Sequence, residues 1–255
     1  MAFKPVDLMK TPRPVVAIAE EYIPGQVIDF HDHPRAQLLY AISGVMTATT
    51  HKGLWVIPPF TAIWIPPNIP HKISTSSHIS LRSLYFTRGF YDDEPKDCCV
   101  ISVSPLLREL ILELVKMPRI YPLGGYEERL VALIKDLLQQ MDSTPVNLPI
   151  PDDFRLKAIY RQLDKNPGDK RTLEAWGKEV GATRRTLTRL FMSETAMTFG
   201  HWKRQIILTK SLIRLAEGEP VTRVAMDMGY GSSSAFIVMF KKALGKTPSK
   251  YFLTA

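Results

Sequence analysis

Apolar positions along the chain follow two rhythms. Between residues 15 and 88 they come in short runs punctuated by Gly and Pro, at 15–21, 37–42, 45–50, 54–57, 62–65 and 80–86. Short runs at such close spacing predict the strands of a small barrel or sandwich. From Ser104 the period lengthens to that of a helix. Leu106, Leu107, Leu110, Ile111 and Leu114 form one stripe behind a Ser-Pro start, which suits an N-cap and a first-turn proline. A second stripe, Leu130, Leu133, Ile134, Leu137, Leu138 and Met141, predicts another helix. Two such helices outside a barrel can pack on it or pair with a second copy of the chain. Residues 142–151 (DSTPVNLPIP) carry three prolines and no period, so they read as a linker. Helical periodicity resumes at 154–165, 173–180, 184–194, 199–217, 221–228 and 233–244.

The last hundred residues hold one pattern twice, at 172–192 (TLEAWGKEVGATRRTLTRLFM) and 221–241 (VTRVAMDMGYGSSSAFIVMFK). Each is a short amphipathic helix, a Gly turn and a second helix whose outward side is polar or basic. A helix-turn-helix lays its second helix in the DNA major groove, where base edges differ in their donors and acceptors. Two units in one chain can read two groove segments without a partner. The helix at 199–217 joins them as a rod that would set their spacing.

Charge agrees with this division. Residues 1–150 hold 14 Lys+Arg against 15 Asp+Glu, whereas 151–255 hold 19 against 10 and carry all of the net +8. A neutral half joined to a basic one implies that the second meets a polyanion. The opening MAFKPVDLMKTPRPVV lacks the apolar stretch of a signal peptide. The most apolar segment, residues 54–70, is broken by five prolines and falls short of a membrane span. Cys98 and Cys99 are adjacent, which argues against a disulfide. The expectation is a cytoplasmic protein with no membrane contact.

In the first unit Thr183 occupies an N-cap position after the Gly181 turn. Leu187, Leu190 and Phe191 share a core face, while Arg185, Thr188, Arg189 and Met192 share another at i, i+3, i+4, i+7. Paired arginines there suit the O6/N7 edge of guanine, and Arg184, Arg185 and Arg189 are expected to meet bases or phosphates. In the second unit Tyr230-Gly231-Ser232 reads as the turn and Phe236 and Phe240 pack inward. Ser233, Ser234, Ile237, Val238 and Lys241 remain for the groove, the serines and Lys241 mainly on phosphates. Ile237 suits either a thymine methyl or the core.

Residues 220–252 (PVTRVAMDMGYGSSSAFIVMFKKALGKTPSKYF) closely resemble the signature of the AraC/XylS transcription regulators. Leu173, Ala175, Gly181, Arg185, Leu187, Leu190 and Phe191 resemble the family's first unit. The resemblance spans about residues 153–254, with Trp176 where leucine is usual and Ile206-Ile207 where Arg-Leu is common. It implies a seven-helix, sequence-specific DNA-binding domain acting on promoter DNA, with RNA polymerase as a further partner.

The spacing Gly25-x5-His31-x-His33-x3-Gln37-x6-Gly44 resembles the first cupin motif, with Gln37 where glutamate is usual, and residues 66–71 (PPNIPH) resemble a shortened second motif. On an extended strand His31 and His33 point to one side. His71 from a neighbouring strand would complete a three-nitrogen site for Zn²⁺, Ni²⁺ or Fe²⁺, with Gln37 as a weak fourth ligand. A metal-free polar pocket and purely structural histidines are the other readings. The absent carboxylate counts against redox catalysis, and the resemblance implies an effector sensor, in a subgroup partly tied to small-molecule export or detoxification. Tyr40, Trp55, Phe60, Trp64, Tyr85 and Phe86 line a ligand pocket or fill the barrel core. His51, His78 and His201 read as surface residues.

The fold expectation is therefore α+β in two domains: an N-terminal cupin-like β-barrel with two helices, and a C-terminal all-α domain with two helix-turn-helix motifs. The boundaries are 1–100 for the effector-binding barrel, 101–142 for a helical dimerisation or packing segment, 143–152 for a linker and 153–255 for the DNA-binding domain, with motifs at about 172–193 and 220–243. The function expected is a sequence-specific DNA-binding transcription regulator, a homodimer by the helical stripes, that senses a small molecule or a metal. The alternative is a metal-dependent cupin enzyme fused to a DNA-binding domain.

Overall fold

A computed structural model describes residues 8–140, 143–144 and 147–252 of the chain. Met141, placed on the second helical stripe by its spacing, lies outside these residues. The chain divides into two compact units, Met1–Thr50 with Ile57–Pro145, and His51–Val56 with Val146–Ala255. The two helices at 105–139 thus belong with the first unit.

In the first unit six antiparallel strands run in the order β1 (Val15–Tyr22), β8 (Ile79–Phe86), β3 (Ala36–Ala41), β6 (Thr61–Ile65), β9 (Cys99–Ser102) and β10 (Ser143–Thr144). A second antiparallel set joins β2 (Val27–His31), β7 (His71–Thr75) and β4 (Met46–Thr50). β-Branched and aromatic residues fill the central strands, as a pleated, buried surface favours. β2 and β7 carry too many polar residues, and the four-residue β9 is too short, to stand out by periodicity, and the sequence reading passed over them, as it did two short strands at 143–144 and 147–148 within the stretch read as a linker.

β3 is buried along its whole length because its two faces do different work. Leu38 and Tyr40 point, with Val15, Trp64, Leu84 and Phe86 of neighbouring strands, into a core closed by two helices. These are α1 (Pro105–Leu114), capped by the Ser104 side chain accepting from Leu107 N, and α2 (Tyr126–Gln139). Leu107, Ile111, Leu114, Leu130, Ile134 and Leu138 are buried against the sheet, whereas Leu106 is 51% and Leu133 39% exposed. Gln37 and Leu39, on the opposite face of β3, look into a cavity instead.

The second unit holds β5 (Gly53–Ile57) up to Val56, with β11 (Asn147–Leu148) paired to it, and then α3 (Phe154–Lys165), α4 (Leu173–Val180), α5 (Arg184–Thr195), α6 (Phe199–Ala216), α7 (Val221–Asp227), α8 (Ser233–Leu244) and α9 (Pro248–Phe252). The short α9 shows no period of its own in the sequence and brings this unit, among the described residues, to the seven helices that the family resemblance implied. Side chains of Asp153, Thr172, Thr183, Thr198 and Ser232 each accept a backbone N–H at a helix start, satisfying donors that have no partner within the helix. Leu156, Ile159, Trp176, Leu187, Phe191, Trp202 and Ile206 form one core, and the Trp202 indole donates to the Pro149 carbonyl at 2.8 Å.

The connection of the second helix-turn-helix contains Tyr230-Gly231-Ser232, between helices ending at Asp227 and starting at Ser233, and its left-handed residue is Gly229, at φ +82°. Gly229 also packs backbone to backbone on Gly168: a Cβ on Gly229 would lie 2.7 Å from the Gly168 carbonyl oxygen and 2.8 Å from its Cα.

Candidate functional site

Two helices of the second unit present the DNA-facing candidates. In α5, Thr183 caps the N-terminus through Thr186 N, and Gly181, at φ +67°, ends α4 just before it. Leu187 and Phe191 are fully buried and Leu190 packs against them. This fixes the rotation of the helix, so Arg185, Thr188, Arg189 and Met192 face outward together and all are exposed. Arg185 and Arg189 have no ion pair among the described residues. Arg184 differs, being held by Glu174 at 2.7 Å and standing about 100° around the helix from Arg185.

In α8, Phe236 and Phe240 are fully buried. Ser234 and Lys241 are exposed, and Ser233 and Ile237 are half-buried. Ile237 lies about 100° from Phe236, on the core side, whereas Val238 is 68% exposed at the middle of the outer face. Any thymine-methyl contact from this helix therefore falls to Val238 before Ile237.

The first unit brings three of the candidate histidines together. His31 on β2 stands opposite His71 on β7, and a bulge between Ile28 and His31 sets that register. Their ring centroids are 4.3 Å apart, and His33 lies 5.1 Å from His71. One ligand-type nitrogen from each of the three rings falls within 4.8 Å of the others. Every Nδ1 faces a main-chain carbonyl: His31 that of Asp29 at 2.8 Å, His33 that of Arg35 at 2.6 Å and His71 that of Ile69 at 2.8 Å. A neutral ring that donates from Nδ1 keeps its lone pair on Nε2, the arrangement common to histidine metal ligands.

Burial lowers the pKa of His33, and pushes that of His71 down to about 4. Both rings are therefore neutral near pH 7, as ligation requires. His71 Nε2 is buried without a hydrogen-bond partner. A tetrahedral ion holds its nitrogens about 3.4 Å apart, so modest ring rotations would close the set. With Nδ1 donating to the Arg35 carbonyl, His33 Nε2 carries no proton, so the Gln37 Oε1 that lies 3.0 Å from it is not held there by a hydrogen bond, while the Gln37 Nε2 donates to the Tyr85 hydroxyl at 2.9 Å.

The depressed His71 pKa makes a stability prediction for metal-free protein. The unfolded chain takes up the proton near pH 6.5 and the folded one only near 4, so the unfolded state gains protons first as pH falls. Stability is full above about pH 6.5 and declines toward pH 4, by roughly 3 kcal/mol for this 1%-exposed residue. Urea unfolding at pH 7, 5.5 and 4.5 measures it. His71→Asn should flatten the slope, and a wild-type profile already flat would refute it.

Next to the histidines opens a cavity of about 650 Å³, lined by β1, β3 and β8 on one side and by β2 and β7 on the other. His31, His33, Gln37 and Tyr85 reach it, as do Glu20, Tyr22 and Ser83, which the sequence reading missed. Their signal was present: in β1, Ile18, Glu20 and Tyr22 alternate along one side of the strand. Of the aromatic candidates, Tyr85 lines the cavity, whereas Tyr40, Trp64 and Phe86 belong to the helix-backed core. Trp55 is buried, and Phe60 is half-buried with φ +63°.

Leu8, Met9 and Lys10 complete one wall. Arg35 holds this segment, its buried guanidinium donating to the carbonyls of Met9, Thr11 and Arg13 and to that of Tyr85. His51, His78 and His201 are exposed.

Residues 13–152 match a family described as the AraC-like ligand binding domain, and residues 176–253 match a helix-turn-helix domain. Over 221 residues the chain is 33% identical to the HTH-type transcriptional regulator NimR of Escherichia coli, covering 87% of this chain and 81% of that protein. It is 30% identical over 105 residues to the HTH-type transcriptional regulator RipA of Corynebacterium glutamicum, covering 40% of this chain and 31% of that protein. It is also 30% identical over 97 residues to the regulatory protein SoxS of Escherichia coli, covering 38% of this chain and 91% of that protein.

Proposed function

Since the chain belongs to the AraC family of DNA-binding transcription regulators, we propose that its α5 and α8 read successive major-groove segments of promoter DNA while the cavity of its first unit takes a small-molecule effector. The observation that carries this reading is the uncovered outer face of α5, where Arg185 and Arg189 stand exposed with no ion pair among the described residues. Arg185, Thr188 and Arg189 take the base-reading role. Arg184, Ser233, Ser234 and Lys241 take phosphates, and Ile237 supports the core edge of α8.

The relatives are regulators, not enzymes, and the reading of a metal-dependent enzyme is set aside. No helix among the described residues is long and apolar enough to cross a membrane. Cytoplasmic location follows from this reading. Separate parts of the proposal are homodimer formation through the exposed Leu106 and Leu133 of the helical pair, and contact with RNA polymerase.

Footprinting of full-length protein on the DNA upstream of its own gene tests the central claim. A protected site of defined sequence is expected, and coverage without preference would overturn it.

A second reading is favoured by the orphaned Nε2 of His71: His31, His33 and His71 hold a divalent ion, Zn²⁺, Ni²⁺ or Fe²⁺. The ion would act as a Lewis acid, fixing the bulge of β2 against β7 and offering an open position to an effector. Zinc titration of chelator-treated protein is expected to show one equivalent bound and a raised melting temperature, both lost in His71→Ala. Operator affinity unchanged by zinc would detach the ion from regulation.

A further inference from the structure

We propose that the effector is a small organic cation on an apolar frame, a protonated amine or amidine, held by the Glu20 carboxylate on the cavity wall. The inference rests on reading that cavity as the effector site.

Strand register places the groups. β1, β8 and β3 lie side by side, and their cavity-side residues form rows: Val16, Tyr85 and Gln37, then Ile18, Ser83 and Leu39, then Glu20, Leu81 and Ala41. The first row meets His33 through Gln37. The third begins four residues further along β8, about 13 Å at the usual strand rise. The histidines and Glu20 therefore enter the cavity from different rows of its wall.

Charge decides what the cavity accepts. Among the described residues lining the cavity, Glu20, Asp29 and Asp32 are acidic and Lys10 is the one Lys or Arg. Lys10 is exposed, and Asp29 already faces Lys72 at 3.7 Å. Glu20 is half-buried, and its one hydrogen-bonding side-chain neighbour is the buried Tyr22 hydroxyl. A partly desolvated carboxylate with a single neutral donor gains from a cation, because an incoming charge supplies a partner in place of the lost water. An incoming carboxylate would instead lie among like charges. The Tyr22 ring, two residues along β1 from Glu20, adds a face that attracts a cation. The remaining wall, with Ile18, Leu39 and Leu81, is apolar, and the volume suits a compact organic molecule.

The test uses full-length, chelator-treated protein and three probes of one shape at neutral pH: 3-phenylpropylamine, 3-phenylpropan-1-ol and 3-phenylpropionate, followed by calorimetry. The ammonium is expected to bind at least about tenfold more tightly than the alcohol, the equivalent of one charge-assisted hydrogen bond, with the carboxylate weakest. Glu20→Gln should bring the ammonium level with the alcohol. Should that variant fail to fold, the wild-type ranking decides alone. A carboxylate that binds as well as the ammonium, or a ranking that survives Glu20→Gln, overturns the inference while leaving the cavity as an effector site. Failure of all three probes to bind overturns the effector reading of the cavity as well.

Discussion

Alanine at both Arg185 and Arg189 weakens operator binding by about 2–6 kcal/mol, roughly thirty-fold to twenty-five-thousand-fold, if each arginine makes a bidentate contact to a base. The two side chains occupy neighbouring turns of α5 on a face whose orientation is fixed by the burial of Leu187 and Phe191. Neither has to break an internal ion pair to reach DNA, unlike Arg184, which would have to leave Glu174. Arg184→Ala is accordingly expected to cost no more than about 1 kcal/mol, as for an exposed pair. Fluorescence anisotropy on the footprinted operator and on single-base variants measures all three. Base reading shows itself as lost discrimination at one or two positions for each arginine. A uniform loss over all sequences, with a shallower salt dependence, would reassign both arginines to phosphates.

Gly229→Ala carries the second large effect. A residue with a Cβ at φ +82° is strained by about 1–2 kcal/mol, and that Cβ would also lie within 2.8 Å of the Gly168 backbone. The strain cannot be relieved by a side-chain rotation, because the opposing atoms are main chain. A destabilisation of about 3 kcal/mol is expected, which lowers the melting of a unit of this size by more than about 10 °C. Gly168 precedes α4 and Gly229 precedes α8, so separating them also shifts the second helix-turn-helix relative to the first. Operator affinity should fall even where the protein remains folded. Gly231→Ala is the control: that residue is outside the left-handed region with open space around it, and a change within about 0.5 kcal/mol is expected. Calorimetry of the three proteins decides, and a Gly229→Ala variant as stable as wild type would show that the contact is not needed.

How legible each part was in the sequence follows from how local its determinants are. The bounds of α3, α4 and α8 came out as expected, because Thr172 and Ser232 cap the next turn of their own chain and the apolar period marks the rest. The outward face of α5 was legible for the same reason. The difference between Ile237 and Val238 was not, since it depends on how far Phe236 and Phe240 rotate α8 into the core. The part played by Gly229 was not legible, because it depends on Gly168, some sixty residues earlier. β2 and β7 lacked a clear alternation, yet they carry His31 and His71, so the histidines were found by motif spacing and their strands were not. Glu20 acquired significance only when β1 closed beside β8, and nothing near Arg35 in sequence announces a guanidinium that serves four carbonyls.

One strand, β3, has its odd-numbered Gln37 and Leu39 on the cavity and its even-numbered Leu38 and Tyr40 under α1 and α2. Parity thus separates recognition from support along a single segment of backbone. Changing what the sensor binds need not disturb the helices bedded on the reverse side, so the ligand repertoire of this scaffold can be retuned by substitutions that skip every second position.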